Sequence, residues 1–186
     1  MLQRPHPAVA NLALAILRTS YNCGQQLKEI IDEKFGKGSA EAEVSWLAVQ
    51  YEFLFFFAHL SLRYLFSKST EDKVSGLQNL LGPFLADATT DTWFENWPAQ
   101  FKSKIRSNFY EDMNLAEIKY SKYRKLYPEK DEDLEGTLFW ELGKNIAPLT
   151  GWEHNPEVVF QSVEISMKEF NDMKLNQLID AVDKEI

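Results

Sequence analysis

Three polar side chains that could act together lie along one apolar stretch of the sequence. Glu52, His59 and Arg63 stand within residues 44–66, a run of 23 residues of which 17 are apolar or aromatic. On a helix, at about 100° of rotation per residue, the three fall within about 40° of each other. A carboxylate and an imidazole two turns apart could bind a metal ion or a polar ligand between helices. We call these three residues the polar stripe.

The polar stripe has a second interpretation, a strip of side chains that contact solvent on an amphipathic helix. Phe56 and Phe66 lie beside it, and a strip fully in water does not usually have two phenylalanines along its edge. We therefore expect His59 to be at least partly shielded. A buried imidazole needs a hydrogen-bond partner, so Glu52 or a carboxylate of another helix should lie within reach. The role predicted for that bond is structural more than catalytic.

Tryptophan side chains form a second group of candidate residues. Trp93 and Trp97 lie close to Phe94 and Phe101 in the sequence. Buried tryptophans usually fill a core, but clustered tryptophans beside a loop are also typical of an interface or a ligand pocket. The low-specificity ligand site that the sequence offers consists of Glu52, His59, Arg63, Trp93 and Trp97.

Sequence motifs that dictate a chemistry are absent. The chain has no GxxxxGK[ST], GxGxxG, GxSxG, HExxH or CxxC motif. A di-iron bundle needs Glu-x-x-His pairs on two helices, and the sequence contains none. We therefore assign no metal, no cofactor and no catalytic residue, and the sequence leaves open whether the protein is an enzyme.

The charge balance of the chain makes some classes of binding partner unfavourable. The 186 residues include 20 basic and 28 acidic side chains, for a net charge of -8, which disfavours nucleic acid and anionic membranes. Charged stripe residues would be costly inside a bilayer, so no membrane partner is expected. Cys23 is the only cysteine, which fits a reducing compartment and predicts a cytoplasmic location.

Hydrophobic periodicity predicts an all-α protein without strands. We expect a single domain, residues 1–186, built as a bundle of four long helices and two shorter ones with the central helix at about 40–67. Gly82-Pro83 should weaken or kink the third helix, and residues 87–97 should be irregular. The predicted helices cover about 7–35, 40–67, 70–86, 98–127, 134–146 and 156–182.

Two functional hypotheses remain. The first is a non-enzymatic interaction or oligomerisation module, a homo-oligomer or a binder of another protein. It rests on apolar residues of the second helix that cover more surface than one neighbouring helix could hide: Leu47, Tyr51, Leu54, Phe55, Phe57 and Leu62. The alternative is a small-molecule or metal-binding helical bundle, an enzyme included, with a site around Glu52, His59 and Arg63.

Overall fold

The computed structural model describes residues 6–36, 46–127 and 134–186. Within these ranges the chain forms seven α-helices and no strand, so the predicted all-α class is confirmed. No helix in this part of the chain is both long and apolar enough to cross a membrane. The helices are α1 (Pro7–Phe35), α2 (Trp46–Phe66), α3 (Glu71–Trp93), α4 (Ala99–Tyr120), α5 (Leu138–Leu149), α6 (Pro156–Asp172) and α7 (Leu175–Glu185).

Helix α2 lies at the centre because it is apolar on nearly every side. Every residue from 53 to 62 is buried, and α1, α3, α4, α5 and α7 all pack against it. Of the six apolar residues that suggested a partner surface, Leu54, Phe55, Phe57 and Leu62 are covered within the chain, whereas Leu47 stays exposed. The predicted start of this helix near residue 40 lies outside the described residues.

Helix α3 is longer than predicted. It continues through Pro83 to Trp93, over most of the stretch that was expected to be irregular. Proline removes one backbone hydrogen bond from a helix. The buried face nevertheless continues across Pro83, from Leu81 before it to Leu85 and Thr89 after it. The Thr90 hydroxyl also donates to the carbonyl of Ala86, at 2.6 Å. Packing against α1 thus stabilises a helix that the proline alone would interrupt.

Helix α4 is shorter than predicted, because it ends at Tyr120 rather than near residue 127. The chain then turns, and the Leu138 amide donates to the Lys125 carbonyl at 2.8 Å. The carbonyls of Tyr123 and Arg124 accept hydrogen bonds from the Arg63 guanidinium. These carbonyls therefore have side-chain partners in place of helical ones.

The predicted last helix is two helices in the structure. Lys174 adopts a left-handed conformation, with φ 52°, between α6 and α7. The turn places Leu175, Ile179 and Val182 in the core, where α7 packs on α1 and α2. Burial of this apolar face offsets the strain of a non-glycine residue in that region of backbone space. At the start of α6, the Asn155 side chain caps the helix by accepting a hydrogen bond from the Glu157 amide at 3.0 Å.

Candidate functional site

The polar stripe faces α4 rather than open solvent. At its first position, the Glu52 carboxylate accepts hydrogen bonds from the Lys119 ammonium and the Tyr120 hydroxyl. Tyr120 is fully buried, and burial raises its pKa well above the usual range, with the Glu52 charge adding to the effect. Tyr120 therefore keeps its proton and remains a donor to Glu52.

His59 occupies the middle of the stripe and is only 5 % exposed. Its Nδ1 lies 2.8 Å from Oε2 of Glu117 on α4, and its ring lies 5.8 Å from the ring of Tyr120. The expectation of a shielded histidine with a carboxylate from another helix is confirmed. The Nε2 atom is buried and has no hydrogen-bond partner among the described residues.

Arg63 ends the stripe by binding backbone. Its guanidinium donates to the carbonyl of Tyr123, at 2.6 Å, and to that of Arg124. Each of the three stripe residues thus bonds to a group on α4 or just after it. Together they form a polar seam, which we define as Glu52, His59 and Arg63 with their partners Glu117, Lys119, Tyr120 and the two carbonyls. The seam docks α2 on α4, and ligand binding at these residues stays a prediction.

The two candidate tryptophans have different exposures and different neighbours. Trp97 is exposed and packs edge-on against Phe94, with ring centres 5.1 Å apart. Trp93 is half-buried and packs edge-on against Tyr51, at 5.3 Å. Trp93 also lines a cavity that none of the stripe residues lines. A common ligand site of all five residues therefore stays a prediction.

That cavity is an open groove of about 920 Å³ between α1, the first turns of α2 and the end of α3. Large apolar and aromatic side chains form its walls, and several are unusually accessible for their size. Leu14 is 55 % exposed and Tyr21 is 46 % exposed. We define the groove by six of the side chains that line it: Leu14, Arg18, Tyr21, Leu47, Gln50 and Trp93.

Two polar groups in the groove lack partners within the described part of the chain. Arg18 is exposed and forms no ion pair there. Gln50 is only 8 % exposed, yet its amide makes no hydrogen bond with a described residue. The amide of Gln50 opens into the groove rather than being sealed in the core, so it is available to a molecule that enters the groove.

A glycine on α1 makes room for Gln50. A Cβ atom at Gly24 would stand 2.7 Å from Cγ of Gln50, closer than carbon atoms can approach without displacement. Gly24 is buried in the middle of α1, where glycine disfavours the helix relative to alanine. The close approach of Gln50 gives a physical reason for glycine at this position.

Sequence reasoning missed the groove, although a signal for it exists. Leu14, Arg18 and Tyr21 follow each other at spacings of four and three residues, which places them on one face of α1. The opposite, buried face of α1, with Val9, Ile16 and Leu27, is longer and more continuously apolar and gives the stronger signal. Within the described residues, no cluster of three or more His, Cys, Asp or Glu side chains is arranged to hold a metal ion.

Comparison of the chain with models of protein families, with curated proteins and with solved structures gave no match. The function therefore has to be argued from the geometry and chemistry of the chain itself.

Proposed function

We propose that this protein is a non-enzymatic interaction module that associates with a second copy of itself through the groove. One observation carries the proposal: Leu14 and Tyr21, together with Leu47, expose large apolar surface around a concave site. Exposed apolar patches beside concave sites are typical of surfaces that bind another molecule. Burial of such surface on association would be favourable.

The size and lining of the groove support a helix as its occupant. The groove follows α1 from Asn11 to Tyr21, a length of about 15 Å at 1.5 Å per residue. That length matches about three turns of a partner helix, and helices bind such grooves through apolar side chains spaced three, four and seven residues apart. No described Asp, Glu, His or Cys lines the groove, which favours binding over acid–base chemistry.

Light scattering across the micromolar range tests the proposal. The measured mass should rise with concentration above the 21.6 kDa of one chain. Leu14→Glu should keep the protein monomeric, because a carboxylate would have to be desolvated against apolar walls. Phe160→Glu is the matched control, since Phe160 is 47 % exposed on α6 outside the groove. A constant monomer mass, or equal effects of both substitutions, would contradict the proposal.

Two features of the whole chain belong to the same proposal. We expect a single-domain bundle, and its support is one contiguous core cluster that draws buried residues from all seven described helices. We also expect a cytoplasmic protein, because the single cysteine is buried and free. Limited proteolysis that releases a stable fragment smaller than the chain would contradict the single domain.

A small-molecule or metal site at the polar stripe is the second candidate function. A cavity of about 390 Å³ is lined by His59 and Arg63, and Nε2 of His59 lacks a partner among the described residues. If this site is used, protein purified under native conditions should carry a ligand or a stoichiometric metal, and His59→Ala should release it. Native mass spectrometry and elemental analysis test this. Protein that carries neither ligand nor metal would favour the first proposal.

A further inference from the structure

Helix α4 carries a second exposed apolar surface, which borders a shallow cavity between α4 and α2. Leu115 is 59 % exposed and Ile118 is 61 % exposed, and the three-residue spacing puts them on one face of the helix. Glu111 and Asp112 lie one turn before Leu115 and are also exposed. We call these four residues the ridge: Glu111, Asp112, Leu115 and Ile118.

The carboxylates at the acidic end of the ridge are not paired with the nearby cation Lys119, which pairs with Glu52 instead. Neither Glu111 nor Asp112 forms an ion pair within the described part of the chain. The pKa of Asp112 is raised, first by partial desolvation and then by the neighbouring charge of Glu111. A cation brought to this place by another molecule would stabilise both carboxylates. The ridge is therefore an apolar surface with an unpaired negative end.

The groove has the complementary chemistry. It combines apolar walls with Arg18, a cation that has no ion pair among the described residues. Resting on the proposed self-association, we propose that the ridge of one copy lies in the groove of a second copy. In this arrangement Arg18 pairs with Asp112, and Leu115 and Ile118 contact the apolar walls.

On the ridge and in the groove, a charged residue and an apolar residue lie at similar distances along their helices. The two spacings match whether the docked helix runs parallel or antiparallel to α1. Leu115 lies three residues from Asp112, about 4.5 Å along the helix axis. In the groove, Tyr21 lies three residues and Leu14 four residues from Arg18, about 4.5 and 6 Å away in opposite directions. With the charges paired, Leu115 therefore meets Leu14 in one direction and Tyr21 in the other. Charge pairing with an apolar contact beside it fixes register as well as affinity.

Pairing of a ridge with a groove has a consequence for assembly. Each copy offers one ridge and one groove, so two copies related by a two-fold axis can place each ridge in the groove of the other and close as a dimer. Head-to-tail contacts instead build rings when the rotation closes and open chains when it does not. The largest species formed at high concentration distinguishes the two arrangements.

Exchanging the two charges tests the inference in the intact chain. Arg18→Asp and Asp112→Arg should each weaken association by about tenfold or more, because each places like charges together in the interface. The double variant restores an opposite-charge pair and should recover most of the affinity. Lys168→Asp is the control, because Lys168 is an exposed cation of α6 that lines no part of the groove. All three substituted positions are solvent-exposed, and thermal unfolding checks that each of the four variants folds.

The outcomes separate this inference from the proposed function. Recovery in the double variant, measured by sedimentation velocity, supports docking of the ridge in the groove. If Leu14→Glu abolishes association but the double variant does not recover it, the ridge is not the part that docks. Self-association through the groove would then still stand. A wild-type monomer at every concentration would overturn both. A small molecule that copurifies in the groove, detected by native mass spectrometry, would overturn the second copy as occupant.

Discussion

The seam and the groove place polar side chains among apolar ones in opposite ways. In the seam, Glu52, His59 and Arg63 each bond to a group on α4 or just after it. In the groove, Arg18 and Gln50 have no such partner among the described residues, although Leu14 and Tyr21 beside them are widely exposed. The contrast shows that a polar stripe on an apolar helix can belong to internal packing. A binding surface is indicated instead by polar side chains without partners beside exposed apolar ones.

The energetics of the two regions should differ accordingly. A buried polar group without a partner costs about 1–3 kcal/mol, so removal of one seam partner should destabilise the fold. Exposed groove residues contribute little to folding, because their apolar surface stays in water in the isolated chain. Substitutions in the seam should therefore change stability, and substitutions in the groove should change association.

Phe56→Ala should give the largest difference between the two regions. Phe56 is fully buried beside the seam, with its ring 5.3 Å from that of Tyr120 and 5.1 Å from that of Phe139. Its truncation should cost about 3–5 kcal/mol in the free energy of unfolding. Leu14→Ala in the groove should stay within about 0.5 kcal/mol. Urea unfolding of dilute protein measures both, and similar losses in the two variants would remove the contrast.

Glu117→Ala should have a smaller effect on the seam. It leaves His59 buried with neither ring nitrogen bonded to a described residue, at a cost of about 1–3 kcal/mol. Glu111→Ala on the same helix is the control, because Glu111 is exposed and unpaired there, and it should change stability by less than about 0.5 kcal/mol. Equal effects would show that the His59–Glu117 bond does not stabilise the docking of α2 on α4.

Alkaline pH should weaken the seam through Tyr120. Burial and the Glu52 charge raise the pKa of Tyr120 in the folded protein, whereas an unfolded tyrosine ionises near pH 10. The stabilisation is thus fully present below about pH 10 and is lost progressively as the pH rises above it toward the pKa of the folded protein. Tyr120→Phe should be less stable at pH 7 but should lose less between pH 9 and 11. Parallel losses in both proteins would contradict this assignment.

Much of the fold could be predicted because apolar residues recur at helical spacing. The first helix was placed at about residues 7–35, and α1 occupies Pro7–Phe35. The break at Lys174 could not be predicted, because no glycine or proline occurs there. It is stabilised by the packing of α7 in the core, which the local sequence does not indicate. Continuation of α3 through Pro83 has the same origin, since local preference there loses to contacts made by distant residues.

The site was only partly predictable for a related reason. The angle between Glu52 and His59 follows from helix geometry, so a shared face could be inferred. The partner residue Glu117 could not, because a sequence does not state which helix covers that face. Leu14 and Tyr21 were missed because α1 is apolar on more than one side, and only the arrangement of its neighbours shows which side is left uncovered.

Thiol labelling offers the most direct test that the groove, and not the seam, is the associating surface. Cys23, the only native cysteine, is buried, and burial raises the pKa of its thiol, so it gives little background. Leu14→Cys in the groove and Phe160→Cys outside it provide two exposed thiols of similar accessibility. As the protein is concentrated through the micromolar range, labelling of Leu14→Cys should slow while that of Phe160→Cys stays constant. A labelling rate at Leu14→Cys that does not depend on concentration would contradict the account.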